Sequence, residues 1–531
     1  MTTSPGMNPA GSPAGRRIAP EALTSSGDLR PGFGGTVGWT VAGTVIPGLG
    51  LWRAGRKVVG GILMGLWAVV LIGVVATAVL NRGLLQSIVL NQTVLYGLAG
   101  ALLVVALAWV IVITATHLAL RPRPASALQR IVGGVVVGVL VFITAAPLAV
   151  GANLAYTTAN GLSIFSGDSS GPTINAADPW KGTNRLNILI LGGDSGVKSH
   201  RSLAVGARTD TVMVASIDTH SGATTLITLP RNTEKMPFPP NSPLRKYYPN
   251  GFTSGSSDLY TRSQYLLNAM YRDVPANVPN DILGKTKDFG ASVMMQSVGY
   301  ALGLDINYYV FVNMDGFRDI VNAVGGITVN VNYRIPIGGH NASGNEPAQA
   351  PDGWIEVGPN QHLSGRLALW YARGRYHLND YSRMERQRCV VNAVVKQADP
   401  ANLLLHYQSI VDAGEKNVST NIPSAMLSPL VDLALKAKNT KLRSMVFDPS
   451  NGFLSYAPNW ATVRKQVKQA LDSTAANAQA SPSPSATAPA PGASSSATST
   501  PSTTKPSTKP GDKSDDLDDA CGYHPHKWTG K

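Results

Sequence analysis

The chain has 531 residues, with 45 Lys and Arg against 31 Asp and Glu, two Cys, and 44% hydrophobic residues. Charged residues make up only 14%, against roughly 25% in an average soluble domain. The length excludes a single small domain, two cysteines exclude a disulfide-dense secreted fold, and the apolar content excludes wholesale disorder. The missing charge is concentrated near the N-terminus, which marks a membrane protein.

Residues 58–81 carry no formal charge, residues 83–120 carry none, and after Arg130 the next is Asp168. A bilayer core about 30 Å thick takes roughly 20 apolar residues as a helix. Three spans are predicted near 59–80, 95–118 and 131–153, within a block at 58–154. Arg53, Arg56 and Lys57 precede the first span, Arg82 alone separates the first two, and Arg121, Arg123 and Arg130 lie between the second and third. This bias places residues 1–57 in the cytoplasm and everything after about 155 outside it. The apolar stretch 38–52, broken by Pro47 and glycines, is too short to span and reads as interfacial or re-entrant. The late, repeated apolar segments do not resemble a cleaved signal peptide. The net charge of +14 does not imply a nucleic-acid partner, because the large domain is expected outside the cytoplasm.

Residues 155–183 are polar and Gly-, Ser- and Asn-rich, and read as a linker to a folded domain at 184–473. There, 186–192 (LNILILG) reads as a buried strand. Residues 211–217 and 223–229 read as two more, joined by a turn at His220–Gly222. Residues 327–333 alternate apolar and polar. Helical patterns cover roughly 289–302, 315–324, 362–373, 383–398, 424–437 and 459–471. The mixture predicts an α/β fold, an α/β/α sandwich with a mixed central sheet, preceded by the transmembrane helices. The Pro-, Asn- and Gly-rich region 234–285 reads as a long surface insertion bordering a site. Residues 474–531 form a Ser-, Pro-, Thr- and Ala-rich tail whose composition cannot bury a core. It reads as disordered, a spacer into cell-wall material, and the Cys and His at its end match no standard metal spacing. An oxidising exterior permits a Cys389–Cys521 bridge, and a buried free thiol at Cys389 is the alternative.

Two clusters carry chemistry. The first comprises Asp194 in GGDSG, Arg208 and Asp210 in ARTDT, and Arg231 in LPRN, all beside predicted strand ends, where α/β folds place sites. The second comprises Arg373, Arg375, Asp380, Arg383 and Gln387. Arg383 and Gln387 share one helix face. Arginine forks match phosphate oxygens, and magnesium is held by one or two carboxylates plus phosphate oxygens and water. The set therefore suits a diphosphate. The competing local readings are a solvated Arg-rich helix face, a capping box at Ser382–Glu385, and Asp194 or Asp380 as a cap or turn residue. Gly193–Ser195 also resembles the start of a GDS serine hydrolase, but none of the nine His has Asp three residues before it. No P-loop or H-E-x-x-H pattern occurs.

The blocks NILILGGDSG, RTDTVMVASID, TLITLPRN, YYVFVNMDGFRDIVNAVGGITVNV and LSGRLALWYARGRYHLNDYSRMERQR resemble, in order and spacing across about 184–400, the LytR–CpsA–Psr family. The resemblance implies an α/β/α sandwich whose interior holds a polyprenyl chain. It implies a membrane-anchored phosphotransferase, moving a glycopolymer from a polyprenyl-diphosphate carrier onto the 6-hydroxyl of N-acetylmuramic acid in peptidoglycan. Under it, Asp194 and Asp210 bind Mg2+ (or Mn2+). Arg208, Arg231, Arg373, Arg375, Arg383 and Gln387 hold the diphosphate, with Arg231, Asp210, Arg373 and Arg375 catalytic and Asp380 supporting. Two positions depart from the pattern: Gly196 replaces an expected Arg, and Asn232 an expected Asp, so Asn232 is assigned no role. TEKMPFPPNSPL at 233–244 resembles the form seen in actinobacterial members. Val293, Met294, Val298, Leu367 and Leu369 are candidate lipid lining, with ordinary core packing as the alternative. A non-catalytic wall-binding or regulatory membrane protein, or a pyrophosphatase acting on polyprenyl diphosphates, are the alternative functions.

Overall fold

The computed structural model describes residues 32–80, 91–122, 124–162, 179–195, 207–342, 347–397, 417–480 and 514–525. Arg82, Arg123, Gly196, most of the expected linker and the Ser/Pro/Thr/Ala run at 481–513 lie outside them. The chain divides into two compact units, 1–76 with 103–149, and 77–102 with 150–531.

The N-terminal part contains α1 (Phe33–Val45), α2 (Leu49–Arg53), α3 (Lys57–Leu80), α4 (Gln92–Leu120) and α5 (Ala127–Gly161). Three of these, α3, α4 and α5, are long and apolar enough to cross a membrane. At 1.5 Å per residue, α1 reaches only about 20 Å, short of a bilayer core. The stretch 38–52 is a helix–turn–helix whose turn depends on Gly48 at φ 99°. Its polar stripe is satisfied within the unit: Thr36 Oγ1 donates to Leu120 O at 2.9 Å and Trp109 Nε1 to Thr44 O at 3.0 Å. The expected linker does not begin at 155. Helix α5 continues to Gly161, because Ala155, Ala159 and Leu162 form a helical stripe that packs on Leu95 and Ala99.

The second unit is built on a seven-stranded sheet ordered β11-β10-β3-β2-β1-β4-β9. Its strands are β1 (Arg185–Gly193), β2 (Thr209–Asp218), β3 (Thr224–Leu229), β4 (Tyr308–Val312), β9 (Val418–Thr420), β10 (Arg443–Val446) and β11 (Asp515–Asp516). β1–β2–β3 are antiparallel, while β4 joins β1 and β10 joins β3 in parallel, so the sheet is mixed. The β2–β3 turn is closed by Asp218, whose Oδ1 accepts from Ser221 N at 2.8 Å.

One face of the sheet (Leu189, Leu191, Val212, Val214, Ile227, Phe311) packs on α7 (Leu267–Asn277), α8 (Phe289–Leu302) and α13 (Trp460–Ala480). The region 234–285 is not a surface insertion. It contains the short helix α6 (Leu259–Ser263) and α7, and it buries Met236, Phe238, Leu244, Phe252 and Met270 in this same core. Its apolar residues are spaced by turns rather than by a helical or strand period, so periodicity does not reveal them. Val293, Met294 and Val298 also point into this core and are fully buried.

The opposite face carries α9 (Met314–Ala323), α10 (Gly365–Arg373), α11 (Asp380–Gln397) and α12 (Leu427–Lys438). Two small sheets, β5 (Ile327–Val331) with β8 (Gly358–Leu363) and β6 (Ile335–Ile337) with β7 (Gly353–Ile355), build a second core with α9, α10 and α11. The alternating strand at 327–333 therefore lies outside the main sheet. The C-terminal end of the tail is ordered. Residues 514–525 add β11 to the sheet edge, form α14 (Leu517–Ala520), and join α11 through a Cys389–Cys521 disulfide. Composition fails there because the twelve residues do not build a core; they complete one.

Candidate functional site

Between the second face of the sheet and α9, α10 and α11 lies a cavity of ≈ 1040 Å³. All nine sequence-predicted site residues line it: Asp194, Arg208, Asp210, Arg231, Arg373, Arg375, Asp380, Arg383 and Gln387. Its remaining wall is largely apolar, with Ile190, Met213, Phe317, Ile320, Leu369 and Val394. Leu369 is thus lining as expected, whereas Val293, Met294 and Val298 lie across the sheet.

Local structure explains each placement. β1 ends in Gly192–Gly193, and a Cβ at Gly193 would collide with the Phe311 ring. The register slips there, turning Asp194 out of the sheet. Asp194 closes the following loop, accepting from Arg208 N at 2.8 Å while its own N–H donates to Arg208 O at 3.1 Å. Arg231 leaves β3 with its carbonyl accepting from Asn268 N at 2.9 Å. Arg208 donates to Gln264 at 3.0 Å, so the 234–285 region does border the site.

Helix α11 carries the other half. Asn379, rather than Ser382 or Asp380, caps it: its side chain accepts from Ser382 N at 2.7 Å. That leaves the Asp380 carboxylate for the cavity. Positions 380, 383 and 387 are polar, and 390, 391, 394 and 395 on the same stripe are valines. One helix face therefore runs from charged to apolar along the cavity.

Sequence reasoning missed Arg386. Its buried guanidinium donates to Tyr371 O at 2.6 Å, to Gly374 O and to the Tyr333 hydroxyl at 2.8 Å. It thereby takes carbonyls at the C-terminal end of α10 and sets the bend that carries Arg373 and Arg375. A lone Arg in an Arg-rich helix gives no sequence signal for this.

The charged groups interlock. Arg231 reaches Asp210 at 2.6 Å and Asp380 at 3.3 Å. Asp380 also lies 3.1 Å from Arg383 and 3.5 Å from Arg375, and Arg383 lies 3.6 Å from Asp210. Five arginines face three aspartates, leaving two positive charges. Among the described residues Arg383 Nε is buried with no hydrogen-bond partner, a costly state for a cationic donor and one that an anion would relieve. Burial pushes Asp210 up, but Arg231, Arg383 and Arg375 outweigh it and hold the carboxyl below its ordinary range. Burial lowers Arg231, yet Asp210 and Asp380 raise it by more. Burial, with Arg231 and Arg375, pulls Arg383 down to about 10 against the pull of both aspartates. All are charged at neutral pH.

Ser195 is 2% exposed and its Oγ has no hydrogen-bond partner among the described residues, so no described histidine activates it, and the serine-hydrolase reading gains no support. Among the described residues, no group of three or more His, Cys, Asp or Glu converges as a metal cage. Asp194 and Asp210, from neighbouring strand ends, fit a magnesium ion only if phosphate and water complete its oxygen shell.

Residues 157–474 match the profile of the LytR_cpsA_psr family. The chain belongs to the LytR–CpsA–Psr family. Among LytR–CpsA–Psr relatives, the Enterococcus faecalis polyisoprenyl-teichoic acid–peptidoglycan teichoic acid transferase TagU is 27% identical over 296 residues, 54% of this chain and 78% of its own length. The transferase of the same name from Bacillus mycoides is 34% identical over 161 residues, 28% of this chain and 48% of its own length. Among solved structures, protein gbs0355 from Streptococcus agalactiae has a TM-score of 0.38 at 26% identity, covering 56% of this chain and 90% of that one. TagV of B. subtilis has a TM-score of 0.36 at 23% identity, covering 54% and 98%.

Proposed function

We propose that this chain is a membrane-anchored phosphotransferase that moves a glycopolymer from a polyprenyl-diphosphate carrier onto the 6-hydroxyl of N-acetylmuramic acid in peptidoglycan. The observation that carries the reading is the α11 stripe, where Asp380, Arg383 and Gln387 give way to four valines along one cavity. A lipid diphosphate has the same order, an anion followed by hydrocarbon. A diphosphate esterified at both ends carries one negative charge per phosphorus, matching the site's surplus. The names of the relatives support transfer as the reaction class. The 233–244 segment further suggests an actinobacterial-type member.

In this reading Arg208, Arg231, Arg373, Arg375, Arg383 and Gln387 hold the diphosphate. The acceptor hydroxyl attacks the phosphorus bonded to the glycan, the bond to the bridging oxygen breaks, and polyprenyl phosphate leaves with that oxygen, the hydroxyl proton passing to the departing phosphate or to water. The arginines stabilise charge building on the phosphoryl oxygens. Asp210, held below the ordinary carboxylate range, is a weak base and serves to orient Arg231. Bound by Asp194 and Asp210, Mg2+ (or Mn2+) would offset phosphate charge. The Lys and Arg bias puts the N-terminus in the cytoplasm and the site outside, beside a membrane-borne donor at high effective concentration.

The test is the full-length protein in detergent with a polyprenyl-diphosphate glycan and a peptidoglycan oligomer, followed by mass spectrometry with and without magnesium. Formation of the glycan–peptidoglycan phosphodiester with release of polyprenyl phosphate is the expected result. Release without transfer would indicate a pyrophosphatase. A folded protein that neither binds nor cleaves the donor would indicate a wall-binding role.

A further inference from the structure

Residues 514–525 lie at the β10 edge of the sheet and are held there by hydrogen bonds. Arg443 Nη2 donates to Ser514 O at 2.8 Å, and Leu517 N to Leu442 O at 2.9 Å. Asn330 Nδ2 donates to Cys521 O at 2.9 Å, and His524 N to Asn332 Oδ1 at 2.8 Å. Asp518 pairs with Lys396 on α11, and Cys521 is bonded to Cys389 on the same helix. This is a clasp joining the sheet edge, α11 and the β5 strand.

The clasp meets the cavity at its apolar end. Leu517 is fully buried in one cluster with Met213, Ala215, Leu226 and Leu442, against which Ile190, Val391, Val395 and Cys521 pack. Four of those residues (Ile190, Met213, Val391 and Val395) also line the cavity. They belong to its valine-rich end, remote along α11 from Asp380 and Arg383. Leu517 does not itself line the cavity but shares one packed cluster with these four lining residues.

We propose that the C-terminal clasp, through Leu517, is the end wall of the apolar chamber and limits the length of isoprenoid chain the cavity holds. The inference rests on the lipid-diphosphate reading of the site. In that reading the anion is anchored at the arginines, so chain carbons accumulate toward the valines until they meet the clasp. Smaller side chains at 517 lengthen the chamber and larger ones shorten it.

Native mass spectrometry of the full-length protein, with farnesyl and heptaprenyl diphosphates in competition, tests this. Leu517→Ala vacates space for about three carbons and is expected to shift the occupancy ratio toward the longer chain by up to about fifty-fold, at roughly 0.8 kcal/mol per buried methylene. Leu517→Phe is expected to shift it the other way. Intact mass confirms the disulfide in each variant, which keeps the clasp in place if one substitution loosens packing. A ratio unchanged in both variants, with farnesyl diphosphate still bound, overturns the clasp inference and leaves the transferase reading standing. Failure of wild-type protein to bind either diphosphate overturns both.

Discussion

Arg231 and Asp210 meet at 2.6 Å on the cavity wall although 21 residues separate them. Arg231 also reaches Asp380 through a different nitrogen, so one planar guanidinium ties the β2 and β3 strand ends to the start of α11. Arg231→Ala is expected to lower transfer by about 100-fold or more, the scale for losing one preorganised charge donor. Arg231→Lys is not expected to rescue it, because an ammonium cannot serve both carboxylates in the fork geometry. Product release by mass spectrometry, with circular dichroism confirming the fold, checks both.

Asp210 titrates below the ordinary carboxylate value of about 3.9. A depressed native value stabilises the fold above the unfolded value and loses that contribution as pH falls through the native one. Asp210→Asn should therefore melt below wild type at pH 7, and the two curves should begin to draw together only as pH falls below about 4 toward the lower native value. Thermal unfolding across pH 3 to 7 measures this.

Arg383 is buried, its native value is pulled down to about 10, and its Nε is unpartnered. The folded protein thus holds this charge at a cost that an anionic ligand reduces. Arg383→Met is expected to leave the melting temperature unchanged or raised without ligand, while the rise caused by pyrophosphate shrinks. Parallel melts with and without pyrophosphate resolve the two effects.

Arg386 does not line the cavity, yet it holds the carbonyls of Tyr371 and Gly374. Arg386→Met leaves them without a donor. A loss of about 3 kcal/mol is expected from denaturant melts, together with weaker donor binding as Arg373 and Arg375 lose their fixed bend.

The Cys389–Cys521 bridge closes a sequence separation of 132 residues. On the chain-entropy account its reduction should cost about 5 kcal/mol. Denaturant midpoints with and without dithiothreitol give the difference.

The central strands 186–192, 211–217 and 223–229, the helices at 289–302 and 383–398, and the three membrane-length helices were legible in the sequence. Each is encoded by a local period, or by a run of apolar residues long enough to stand alone. The site was legible for a related reason: Asp194, Asp210 and Arg231 sit at strand ends, and Asp380, Arg383 and Gln387 on one helix face.

Other features depend on which surfaces meet. Helix 289–302 is apolar around most of its circumference whichever side of the sheet it occupies, so its pattern could not say that Val293, Met294 and Val298 face away from the cavity. Region 234–285 buries Met236, Phe238 and Phe252 without any repeat to announce it. β11 is two residues long and gains its stability from β10, Leu517 and the disulfide rather than from itself. Periodicity records what a segment can bury against an unspecified neighbour. The identity of that neighbour is set by crossover connections and long-range pairing, and these decided the side of the sheet that holds the cavity, the Asp210–Arg231–Asp380 linkage and the clasp at its end.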